Sequence, residues 1–182
     1  MPRLFVAIDL PDDIKDRLTE LCKGISGAKW VSRDQMHLTL RFIGDVDEKP
    51  FQAIRTLLGD IHCEPFEVTL KGVGHFPPKG AARVLWVGLD APPALNALQR
   101  KIELALTGLG LAPEDRPFSP HITLARMKAP PLPEAMRQFM RKNESFRTAP
   151  IPVSEFVLYS SFLKPDGPFY RHEGVYPLRI ES

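Results

Sequence analysis

The tetrapeptide His–aliphatic–Thr–Leu occurs twice in this chain, as HLTL at 37–40 and HITL at 121–124. A second pair of stretches accompanies it. LFVAIDLP at 4–11 and LWVGLDAP at 85–92 share Leu, Val, Asp and Pro in order, and their other positions exchange like for like or nearly so. The two echoes lie 81 and 84 residues apart. Two echoes at nearly one offset point to an internal duplication with a short insertion. A duplicated chain folds as two similar units, and this restricts the architecture more than any other feature.

The segments between the echoes repeat too. Ile14, Leu18, Leu21, Cys22 and Ile25 recur at helical spacing after Pro11, as do Leu95, Leu98, Ile102, Ala105 and Leu106 after Pro92. Proline at the start and glycine at the end (Gly24, Gly27; Gly108, Gly110) fit helix punctuation. Further helical patterns follow: Phe51, Ile54, Leu57, Leu58 and Ile61, then Met136, Phe139 and Met140. Strand-like runs stand at 66–74, 153–162 and 170–180. Each half therefore reads strand, helix, HxTL strand, helix, strand, with no Gly-rich loop of the dinucleotide or P-loop type. The expected fold is α+β and bilobal: two pseudo-twofold-related lobes of mainly antiparallel sheet backed by helices, with a central cleft. Residues 1–182 are expected to form a single domain, with lobe-like halves approximately 1–80 and 81–182 joined through GHFPPKGAA at 74–82.

Composition narrows the function. A formal charge of +2, from 24 Lys and Arg against 22 Asp and Glu, does not suit a protein that coats long nucleic acid. It leaves room for a local basic site on a short or terminal phosphate. No apolar run approaches the roughly 18 residues of a membrane span. Asp9 and Pro11 interrupt the apolar N-terminus too early for a secretory signal. Cys22 and Cys63 lack metal-ligand spacing and read as reduced thiols of a cytoplasmic protein. The expectation is a monomer without a membrane partner.

Strand alternation then divides each motif. His37, Thr39 and Arg41 share one face of the first strand, opposite Leu38, Leu40 and Phe42. His121 and Thr123 share a face of the second, opposite Ile122 and Leu124. Each half buries an aliphatic pair and presents an imidazole beside a hydroxyl. A pseudo-twofold brings the two pairs together across the cleft as one site. Histidine titrates near pH 6.5, so one imidazole can accept a proton while the other donates one. Threonine hydroxyls can bond phosphate oxygens, and an arginine can neutralise developing charge. The predicted chemistry is displacement at phosphorus without a metal or other cofactor. A lone HLTL is more often structural than catalytic, but core packing does not explain a duplicated polar face. Zinc is the rival reading of two histidines; no Asp, Glu or Cys stands at ligand spacing around either motif.

With their flanks LFVAIDLP, HLTLRFIGDV, GVGHFPPKGAARVLWVG, FSPHITLAR and LYSSFLKPDGPFYRHEGVYPL, the paired motifs resemble the 2H phosphoesterase superfamily. Within it, the chain is similar to the bacterial RNA 2′,3′-cyclic phosphodiesterases, also called 2′-5′ RNA ligases. The resemblance implies metal-independent opening of an RNA-terminal 2′,3′-cyclic phosphate to a 2′-phosphate, and in some members the reverse 2′-5′ ligation. It implies His37 and His121 as the acid–base pair, Thr39 and Thr123 as phosphate ligands, and Arg126 as the cation. As a working hypothesis His121 activates the water and His37 protonates the leaving 3′ oxygen; the near-symmetric motifs leave the direction open. Simple alternation puts Arg126 on the face of Ile122 and Leu124, so its use requires a bulge after Thr123 or a side chain reaching round the edge. Alternation alone selects Arg41. The alternatives are a small cyclic nucleotide or an ADP-ribose cyclic phosphate as substrate, or a non-catalytic nucleotide- or RNA-binding module.

Overall fold

A computed structural model describes residues 2–180. In chain order the elements are β1 (Arg3–Asp9), α1 (Asp12–Leu21), β2 (Ala28–Trp30), β3 (His37–Asp45), α2 (Glu48–Leu58), β4 (Phe66–Phe76) and β5 (Val84–Asp90). There follow α3 (Pro93–Gly108), β6 (Ile122–Met127), α4 (Pro133–Asn143), β7 (Ile151–Val153), β8 (Glu155–Lys164) and β9 (Gly167–Pro177). Proline stands in the first turn of α3 and α4, where its missing N–H has no intrahelical partner to lose. Asp12 and Asp13 open α1 against the positive end of its dipole.

The strands form two antiparallel sheets, ordered β3-β1-β8-β9 and β2-β6-β5-β4-β7. Each HxTL strand lies beside its echo strand: β3 on β1, and β6 on β5. The sheets do not divide at residue 80. The first takes β8 and β9 from the end of the chain, and the second takes β2 and β4 from the first half. Residues 74–82 are accordingly no linker between lobes. They end β4 and turn into β5, with Phe76 paired to Val84 and the Arg83 N–H donating to the Phe76 carbonyl at 2.8 Å.

One continuous apolar cluster joins the helices to an inner face of both sheets. It includes Leu38 and Leu40 of β3, Ile122 and Leu124 of β6, Leu18 of α1, Ile54 and Leu58 of α2, Leu98 and Ile102 of α3, and Phe139 of α4. Each such side chain stabilises the fold by about 1.5–3 kcal/mol relative to exposure. β1 lies between β3 and β8, and all of Leu4–Ile8 is buried. Leu4, Val6 and Ile8 face the helices, while Phe5 and Ala7 form a separate cluster with Val157 and Tyr159 on the other face. That outer face carries the first motif.

Both motif strands are bulged at the same position. Thr39 pairs with Ala7 and Arg41 with Val6, so Leu40 is the extra residue. Thr123 pairs with Trp86 and Ala125 with Leu85, so Leu124 is extra in the second copy. A bulge reverses the side-chain parity beyond it. Both freed carbonyls find donors: Leu40 O accepts from Gln99 Nε2 at 3.3 Å, and Leu124 O from the Val31 N–H at 2.8 Å.

Candidate active site

The bulges decide which arginine reaches the polar face. After Leu124, Ala125 turns inward and is fully buried, while Arg126 turns outward and is exposed. After Leu40, Arg41 turns inward to 8% exposure and Phe42 outward to 58%. The alternation that put Arg41 beside His37 and Thr39 thus breaks at Leu40. Its guanidinium lies on the helix side, bonded to Glu103 of α3 and to the Phe42 and Ala112 carbonyls. Arg126 takes the opposite course and shares the face of Thr123.

The two histidines are held alike. His37 Nδ1 lies 2.7 Å from the Gln35 carbonyl, and His121 Nδ1 lies 2.8 Å from the Ser119 carbonyl. In both cases the anchor is the residue two before. A carbonyl accepts only, so each neutral ring carries its proton on Nδ1 and leaves Nε2 free as an acceptor. Neither Thr39 nor Thr123 has a hydrogen-bond partner for its hydroxyl among the described residues, and Arg126 has no ion-pair partner among them. These groups are half-buried or exposed and uncommitted.

Aromatic rings enclose both imidazoles. His37 packs against Phe5, Tyr170 and Tyr159, with centroids 4.9, 5.5 and 6.2 Å away. His121 packs against Phe76 at 5.0 Å and Trp86 at 6.4 Å. The motifs alone do not mark Phe5, Trp86, Tyr159 or Tyr170 as part of this surface. The available signal was parity: Phe5 and Trp86 occupy matching places in the two echoes and share the face of Asp9 and Asp90 respectively. The C-terminal hairpin β8–β9 supplies both tyrosines, and its Pro168 carbonyl accepts a hydrogen bond from the Gln35 side chain.

Burial lowers the pKa of His37 below the ordinary imidazole value, and the nearby charges of Lys15 and Arg126 act the same way. The Gln35 carbonyl and Asp9 oppose that shift. Strands β3 and β6 pack against each other where the two sheets meet, and Arg126 of β6 is near enough to His37 and Tyr170 for its charge to bear on both. Among the described residues no three His, Cys, Asp or Glu side chains group as a metal site. None of the described helices is long and apolar enough to cross a membrane.

The two motif strands thus carry two anchored imidazoles, two uncommitted hydroxyls and a guanidinium without an ion-pair partner among the described residues, groups able to bind a phosphate and move protons. Residues 10–161 match the family model described as the 2′-5′ RNA ligase superfamily. The RNA 2′,3′-cyclic phosphodiesterase of Archaeoglobus fulgidus is 34% identical over 174 residues, covering 93% of this chain and 96% of that one. Its counterpart in Methanothermobacter thermautotrophicus is 31% identical, covering 97% and 98%. A crystal structure of E. coli LigT complexed with 3′-AMP superposes with a TM-score of 0.77 at 30% identity, covering 98% of this chain and 99% of that one. The chain belongs to the 2′-5′ RNA ligase superfamily, and it is a phosphoesterase.

Proposed function

We propose that this protein opens the 2′,3′-cyclic phosphate at the end of an RNA to leave a 2′-phosphate, with His37 and His121 as its acid–base pair. Water attacks phosphorus and passes a proton to Nε2 of one imidazole. The P–O3′ bond breaks, and the 3′ oxygen takes a proton from Nε2 of the other. Each turnover exchanges the protonation states of the two rings, and solvent restores them. Thr39 and Thr123 donate to the non-bridging oxygens, and Arg126 balances the charge that develops there. Ring strain in the cyclic ester supplies part of the driving force. Ligation through a 2′-5′ linkage is the same step with a 5′ hydroxyl in place of water: its oxygen bonds to phosphorus, the P–O3′ bond breaks, and the two imidazoles move the protons as before.

His121 is the group assigned to the water and His37 the group assigned to the leaving oxygen. Burial lowers the pKa of His37 below that of an ordinary imidazole, so its protonated form gives up a proton readily, and the negative charge of a bound phosphate loads it with that proton. The observation that carries the reading is the matched anchoring of the two imidazoles, each held through Nδ1 by the carbonyl two residues before it, with β3 and β6 packed against each other. The relatives named RNA 2′,3′-cyclic phosphodiesterase and the 3′-AMP held by LigT support the choice of substrate. The test is turnover of a 2′,3′-cyclic nucleotide in excess chelator. The wild type turns over, and His37→Ala and His121→Ala each lose about 10²–10⁴ in rate, the usual worth of general acid–base help. Wild-type rates in both variants would remove the acid–base assignment. Loss of wild-type activity in chelator, restored by zinc, would replace it with a metal mechanism.

A further inference from the structure

Arg41 is the least expected buried residue of the first motif. The bulge at Leu40 turns it away from the cleft, and at 8% exposure it requires partners for its charge. It finds them in three segments. Nε and Nη2 donate to the Glu103 carboxylate on α3, Nη1 donates to the Phe42 carbonyl on its own strand, and Nη2 also donates to the Ala112 carbonyl at 2.6 Å. Glu103 in turn accepts the Glu114 N–H at 3.0 Å. Burial alone would raise the Glu103 carboxyl, but Arg41 and the Glu114 N–H outweigh it and hold the group below the ordinary carboxylate range.

Ala112 and Glu114 belong to the connection from α3 to β6, which leads into the second motif. Between Glu114 and His121 lie Asp115–Pro120, stiffened by Pro117 and Pro120, whose rings fix φ. Phe118 in this stretch packs against the core. Near its end stands Ser119, whose carbonyl holds His121 Nδ1. The guanidinium of the first motif strand thus holds the start of the connection whose end anchors the second histidine. The matching position in the second copy is Ala125, which has no side chain able to return the contact.

We propose that Arg41 is a positioning residue: through Glu103, Ala112 and Glu114 it sets the orientation of His121 relative to the first motif, without touching the substrate. The proposal rests on the two-histidine reading of the cleft. His121 therefore depends on the first motif for its aim, whereas His37 is anchored by its own loop through Gln35 and the β8–β9 hairpin. Misplacement of a reacting group by about 1 Å can cost about 10² in rate, so loosening this brace acts on kcat before KM.

The experiment compares Arg41→Lys with the double variant Arg41→Met/Glu103→Leu, each as the full chain. Lysine keeps the charge beside Glu103 but lacks the fork that also reaches Ala112. The double variant removes the buried guanidinium together with its half-buried carboxylate partner, so neither charge is left unpaired. Steady-state kinetics on a 2′,3′-cyclic nucleotide and NMR titration of the histidine ring protons are recorded for both. The expected result is kcat lower by about tenfold or more, KM within about twofold, and a changed His121 titration with His37 unmoved. An unchanged kcat, a raised KM at constant kcat, or equal disturbance of both histidines in a variant that folds overturns the proposal. If the double variant does not fold, Arg41→Lys alone decides by the same criteria. The NMR reading needs no turnover, so a wild type inactive on the substrate counts against the functional reading, while an undisturbed His121 counts against the brace.

Discussion

Gly74 lies on β4 opposite Trp86, and the indole covers it. A Cβ added there stands 2.3 Å from Cη2 and Cζ2 of Trp86 and 2.8 Å from Cζ3. Carbon atoms in contact sit at roughly 3.5–4.0 Å, so the indole must move by about 1 Å or more. Gly74→Ala therefore overpacks the face of the second sheet. Overpacking of this kind costs about 1–3 kcal/mol. At about 2–4 °C per kcal/mol for a chain of this size, Tm falls by about 2–12 °C. The displaced indole and its neighbour Phe76 are the two rings against His121. A shift of about 1 Å in His121 lowers kcat by up to about 10². Gly174→Ala is the matched control. Its Cβ meets the Tyr176 hydroxyl at 2.3 Å, where Tyr176 stacks on Phe156 on the helix side of the first sheet. Thermal unfolding and kcat on a 2′,3′-cyclic nucleotide are measured for both variants well below their Tm. Both lose stability, and only Gly74→Ala loses kcat. Equal kcat in the two variants at comparable Tm loss would refute the role given to Trp86.

Arg126→Gln lowers kcat/KM by about 10²–10³, the scale of losing one donor to developing charge; a change under about threefold would remove Arg126 from the phosphate site. Because burial lowers the pKa of His37, the unfolded chain binds more protons than the folded one below the unfolded pKa of about 6.5. This contribution therefore destabilises the protein progressively as pH falls from about 6.5 through the folded pKa, and is absent above that window. His37→Gln loses less stability than the wild type between pH 7.5 and 5 in denaturant titrations, and parallel curves would contradict this. A substrate with sulfur in place of the bridging 3′ oxygen has a leaving group that needs no proton. It restores turnover to His37→Ala more than to His121→Ala, and the opposite order would exchange the two roles.

The sequence made the faces of each motif legible up to Thr39 and Thr123, because period-two alternation holds until a bulge interrupts it. Leu40 and Leu124 carry no local signal of being extra residues, since both remain buried. Arg41 was misplaced for that reason, and the outward turn of Arg126 could be posed only as a condition. The echo of β1 in β5 gave the right faces with a shifted register. Thr39 lies opposite Ala7, whereas Thr123 lies opposite Trp86, the counterpart of Phe5. A slip of two residues preserves the face, so it leaves no trace in the pattern. The assignment of strands to sheets was not legible either. β8 pairs with β1 across nearly the whole chain and β7 with β4 across some eighty residues, and such distant pairings leave no periodicity to read.

If the two HxTL strands make one phosphate site, His37 and His121 sense the same bound anion. Titration of the protein with inorganic phosphate, followed by NMR at the ring protons of both histidines, puts this to the test. One phosphate binds per chain, and both imidazoles respond along a single saturation curve. Two different curves, two phosphates per chain, or a response from only one histidine would contradict it.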